Sequence, residues 1–133
     1  MATEAVIANP HYGRLGGAQA VRRLVDRFYA LMDEDPDYYG IRKLHPADLT
    51  ASRDKLYWFL SEWTGGPPHF STRFGPPFLR RRHLPFSIGV GERDQWMACM
   101  LRAMQEVELD TGLQTELEMA FFKTADFLRN QVE

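Results

Sequence analysis

The chain has 133 residues, 44% of them apolar and 26% charged, the size and make-up of one compact domain over 1–133 that needs no disulfide or metal staple. Sixteen basic against eighteen acidic side chains give a formal charge of −2, so no global positive field recruits nucleic acid or an anionic membrane. Cys99 stands alone, which excludes an internal disulfide framework and every zinc or iron–sulfur pattern built on paired thiolates.

After Gly16-Gly17, the residues Val21, Leu24, Val25, Phe28 and Met32 recur at three- and four-residue steps, which predicts an amphipathic helix ending before Pro36. A second helix should follow Asp48 or Thr50, with Leu49, Leu56, Phe59, Leu60 and Trp63 on one side and Gly65-Gly66-Pro67-Pro68 as its stop. Between Gly75 and Gly89, Pro77 suits a first helical turn and Pro85 forbids helix beyond about His83. A short helix fits there, with His83 as its last residue. A third long helix begins near Gly91 and carries Trp96, Met97, Met100, Leu101, Ala103, Met104 and Val107, apolar over so wide an arc that it should be central. The last helix opens on a capping-box pattern, Thr111 with Gln114, and turns Leu113, Leu117, Ala120, Phe121 and Leu128 inward. No segment reads as a strand or reaches the length of a membrane span, and the start lacks a secretory pattern, so a cytoplasmic, all-α protein is expected.

The four histidines, His11, His45, His69 and His83, are 34, 24 and 14 residues apart, and none forms a close metal-binding pair. One imidazole is enough for haem, because the porphyrin supplies four nitrogen ligands and the protein only an axial one. A histidine in a last helical turn can donate its second ring N–H to a carbonyl one turn back, here that of Leu79, fixing the tautomer. On spacing alone the alternative is an exposed helix-terminal histidine stabilised by the helix dipole.

An ordered set of motifs runs along the chain: Tyr12-Gly13, Gly16-Gly17, Phe28-Tyr29, Leu44-His45-Pro46-Ala47-Asp48-Leu49-Thr50, Phe59-Leu60 with Gly65-Gly66-Pro67, Arg82-His83-Leu84-Pro85-Phe86, and Trp96 thirteen residues after His83. In this order and spacing they resemble the truncated haemoglobins, specifically the second group, over nearly the whole chain. The resemblance implies a two-over-two helical sandwich with a short proximal helix, haem b as cofactor and His83 as iron ligand. It further implies a pentacoordinate iron open to O2, CO or NO, with Tyr29, His45 and Trp96 as ligand-stabilising donors and Ser52 and Leu56 lining the distal pocket. Ser52 stands where familiar oxygen carriers have a distal histidine, so donation shifts to Tyr29, Trp96 and His45. Lys55 and Arg82 match propionate-pairing positions, and Phe78, Phe86, Ile88, Met97 and Met100 are candidate haem walls. Each residue also has a plainer reading: Tyr29 as a core edge, Trp96, Leu56, Met97 and Met100 as packing, His45-Pro46 as a turn, and Arg80 and Arg81 as a solvated face.

The leading expectation is reversible oxygen binding by a monomer or weak homodimer. A second is redox catalysis, oxidation of nitric oxide or peroxide consumption, which needs an external reductase because no dinucleotide or flavin fingerprint is present. A third is a cofactor-free helical interaction domain that uses the Arg80–Arg82 run, and it predicts no Soret absorption.

Overall fold

A computed structural model describes residues 10–132. Among the described residues the elements are α1 (His11–Leu15), α2 (Ala18–Glu34), a 3-10 turn (Pro36–Tyr38), α3 (Tyr39–Arg42), α4 (Thr50–Trp63), α5 (His69–Phe74), α6 (Leu79–His83), α7 (Val90–Glu106) and α8 (Thr111–Phe127). None is a strand, and none of these helices is long and apolar enough to cross a membrane.

Helix α2 starts as predicted. Gly16 and Gly17 both have positive φ, 111° and 82°, a reversal that side chains with a Cβ resist. Its apolar stripe then goes fully inside: Val21, Leu24, Val25, Phe28, Leu31 and Met32 are all within 1% of complete burial. Pro36 ends the helix by forcing Asp35 into extended backbone. Gly66 closes the turn after α4 against the Tyr12 ring, where a Cβ would stand 2.5 Å from a ring carbon.

The long helices form two layers. Helix α2 packs on α4 and on α7, and α7 packs on α8. Trp63 of α4 stacks on Phe121 of α8 at 4.8 Å, joining the layers at one end. Helix α7 is central, with Met97, Cys99, Met100, Ala103 and Met104 buried, and the Cys99 thiol donates to the Phe28 carbonyl.

Two local expectations are corrected. Helix α8 is capped by Asp110, which accepts from the Leu113 N–H at 3.0 Å; Gln114 instead donates to the Leu109 carbonyl. The Gln114 N–H that a Thr111 cap would take goes instead to the Asp110 main-chain carbonyl at 2.9 Å. Pro77 also lies outside its helix. Phe78 follows it in left-handed backbone, φ 44°, and α6 begins only at Leu79. Helices α1, α3 and α5 were not foreseen. Helix α5 is fastened by Glu62, which accepts from both the Ser71 amide and the Ser71 hydroxyl.

Candidate functional site

Helix α6 ends on His83, as Pro85 requires. The His83 Nδ1–H donates to the Leu79 carbonyl at 2.6 Å, the bond expected from helical periodicity. A carbonyl only accepts, so the proton is on Nδ1 and the lone pair of the neutral ring is on Nε2. No residue of α6 is buried, so apolar packing does not place it. Hydrogen bonds do. Arg80 donates to the Phe127 carbonyl at 2.6 Å, and Arg82 donates to those of Pro77 and Phe74. Asn130, just beyond α8, does most. Its Nδ2 donates to the carbonyls of Phe86 (2.8 Å) and His83 (3.3 Å), its Oδ1 accepts from the Ile88 N–H (2.9 Å), and its own N–H donates to the Ile88 carbonyl (2.8 Å).

Tyr29 and Trp96 stand on the long helices. Tyr29 of α2 is 5% exposed, and its ring meets that of His45 edge-on at 5.6 Å. Burial, the dominant influence, raises the Tyr29 hydroxyl well above its ordinary pKa, so it stays a protonated donor. Phe28 lies between Tyr29 and Trp96, 5.1 Å from the first ring and 5.2 Å from the second. Neither the Tyr29 hydroxyl nor the Trp96 indole N–H is hydrogen-bonded to another described residue.

His45 repeats the device of His83: its Nδ1–H donates to the Ile41 carbonyl at 2.8 Å. Burial lowers its pKa first of all, against the raising effect of the Ile41 bond, and the charges of Arg42 and His83 lower it further. A neutral ring in this tautomer offers a lone pair at Nε2. The expectation that His45 donates from either nitrogen is therefore narrowed: at neutral pH its free nitrogen accepts.

The family model described as "Bacterial-like globin" matches residues 10–131. The chain belongs to the bacterial-like globins. It is 36% identical to Group 2 truncated hemoglobin YjbI of Bacillus subtilis over 88% of this chain and 86% of that one. Among solved structures, the group II 2-on-2 hemoglobin of Agrobacterium tumefaciens is 40% identical with a TM-score of 0.88, covering 92% of this chain and 95% of that chain. A truncated oxygen-avid haemoglobin from Bacillus subtilis is 34% identical with a TM-score of 0.83, covering 90% and 98%. The two-layer helical fold is thus the two-over-two globin fold, and haem-based gas binding is the family's chemistry with haem b as its cofactor.

The residues of this globin suit that group. Phe74, Leu84 and Phe86, close to His83 in sequence, are exposed and offer apolar surface of the kind a porphyrin face covers, whereas Phe78 lies under the Arg81 guanidinium. Ser52 and Leu56 are half-buried on α4, Leu56 packed against the core. Ile88 is half-buried, Met97 is 7% exposed and Met100 fully enclosed, so the two methionines belong to the α7 core. Lys55 is exposed, its Nζ 5.6 Å from the Phe74 ring centre, and is available to a propionate. Arg82 braces residues 74–77 through its Nε and Nη2. Open clefts of about 320 and 710 Å³ lie elsewhere, lined largely by charged side chains and holding none of these residues.

Asn130 was missed by sequence reasoning. Its partners are 42 to 47 residues away, and a lone asparagine after a helix carries no pattern that points to them.

Proposed function

We propose that this globin binds molecular oxygen reversibly at a pentacoordinate haem iron held by His83, with CO and NO as alternative ligands of the same position. When bound, haem supplies an iron with one open axial position for a diatomic gas. The observation that carries the reading is the Nδ1–H bond from His83 to the Leu79 carbonyl, which aims a fixed Nε2 lone pair away from its own helix. Tyr29 and Trp96 keep O–H and N–H donors without partners among the described residues, which supports a site that favours a ligand drawing negative charge outward over a nonpolar competitor. His45, packed edge-on against the Tyr29 ring, fits as a neighbour that holds that ring in place. Lys55 supplies a cation for a propionate, worth about 0–1 kcal/mol at so exposed a place.

Two donors predict slow release, in accord with the oxygen-avid Bacillus subtilis relative. Stopped-flow mixing of the ferrous protein with oxygen tests this. Simple association followed by slow release is expected; sustained turnover of nitric oxide or peroxide with an added reductant, faster than release, assigns the chain to redox catalysis instead.

A further inference from the structure

Charge is spread unevenly along this chain. Between Glu62 and Glu92 there is no acidic residue, while Arg73, Arg80, Arg81 and Arg82 all fall in that interval. A segment of formal charge +4 therefore sits inside a chain of −2. Hydrogen bonding sharpens the contrast. Among the described residues, eight of the thirteen arginines reach a carboxylate within 3.7 Å, Arg102 with Asp35 and Glu106 being typical. None of the four in the segment does. Arg73, Arg80 and Arg82 donate to main-chain carbonyls, which take the bond without cancelling the charge, and Arg81 has only the Phe78 ring, 4.6 Å from its Cζ. The one other such arginine, Arg23, stands apart on α2.

Two of those cations lie over exposed aromatic rings: Arg81 over Phe78, 52% exposed, and Arg80 over Phe127, 58% exposed. Arginine with aromatic residues is the composition enriched at the centres of protein–protein contacts, whereas lysine is depleted there. Arg80 and Arg81 are exposed on the helix that ends on His83, three and two residues before it, so they offer a short covalent route from the surface to the imidazole.

We propose that the Arg80–Arg81 face of α6 is a docking surface for an acidic one-electron donor protein. The inference rests on His83 holding haem iron. One electron leaves the reduced cofactor of the donor and enters ferric iron, so the donor ends oxidised by one electron and the iron ends ferrous. Complementary charge steers such encounters and fixes their orientation. A long polyanion or a membrane would also meet the net-negative remainder of the chain, which a compact acidic protein need not touch.

The test uses the haem-loaded full chain and a reduced plant-type [2Fe–2S] ferredoxin as the acidic probe. Calorimetry at low and high salt gives the affinity, and rapid mixing gives the reduction rate, with dithionite as a small-molecule control. Arg81→Glu breaks no hydrogen bond in the structure and is the variant of choice. Expected are a tenfold or greater loss of affinity in Arg81→Glu, a flatter salt dependence, a matching fall in reduction by ferredoxin, and an unchanged rate with dithionite. Equal affinity in parent and variant, or an equal slowing with dithionite, overturns the docking surface. So does Arg81-dependent capture by phosphatidylserine vesicles or RNA while ferredoxin is ignored. A missing Soret band before any partner is added overturns the haem reading as well, and so separates the two failures.

Discussion

The two sides of the site are held by different physics. Tyr29 and Trp96 stand on helices of seventeen residues whose inner faces are fully enclosed, so apolar packing fixes these donors. His83 stands on a five-residue helix with no buried residue, fixed by hydrogen bonds from Arg80, Arg82 and Asn130 to main-chain carbonyls. The donor side should therefore share the stability of the whole fold, while the imidazole side should shift or loosen with little effect on global unfolding.

Cutting the packing breaks the contrast most forcefully. Phe28→Ala removes a fully enclosed ring between Tyr29 and Trp96 and should cost about 3–5 kcal/mol in urea unfolding. Phe78→Ala, on the exposed imidazole side, should stay within about 0.5 kcal/mol. Similar losses in both would erase the distinction. Next come the donors. Tyr29→Phe removes one polarised hydrogen bond of about 1.5–3 kcal/mol, so oxygen should leave roughly ten- to hundredfold faster by stopped flow. Trp96→Phe should act in the same direction, and an unchanged release rate in both variants would remove these residues from the ligand's surroundings.

The smallest expected effect sharpens the other half. Asn130→Ala deletes three side-chain hydrogen bonds that clasp residues 83–88, and the net change should be about 1–2 kcal/mol, felt locally. Haem transfer to an acceptor globin should quicken several-fold and the iron–histidine stretching frequency should move, while the urea midpoint stays near that of the parent. Asn130→Asp keeps the acceptor for the Ile88 N–H and should fall between the two. A shifted midpoint with an unmoved stretching frequency would make Asn130 a general brace.

Legibility followed the same division. The four long helices and the end of α6 could be read because burial imposes a 3.6-residue period and proline stops a helix, and the His83–Leu79 bond followed from that period alone. His45 was legible as a site residue but not as an acceptor, since its tautomer depends on the Ile41 carbonyl in α3, four residues with no periodic signal of their own. Asn130 and the loop-bracing role of Arg82 were hidden for the complementary reason: their partners are main-chain carbonyls, which leave no trace in side-chain pattern. The cap of α8 was misplaced by one residue because Asp110 and Thr111 both suit the position and only geometry chooses between them.

The central claim is that the imidazole of residue 83 is the protein's bond to iron. The most direct test is the absorption spectrum of hemin-loaded His83→Gly beside the parent, in the ferric, ferrous and CO-bound forms, with and without added imidazole. Loss of the parent's spectra in the variant, restored by imidazole occupying the space left by the side chain, is the predicted result. Unchanged spectra in all three forms would show that iron is held elsewhere.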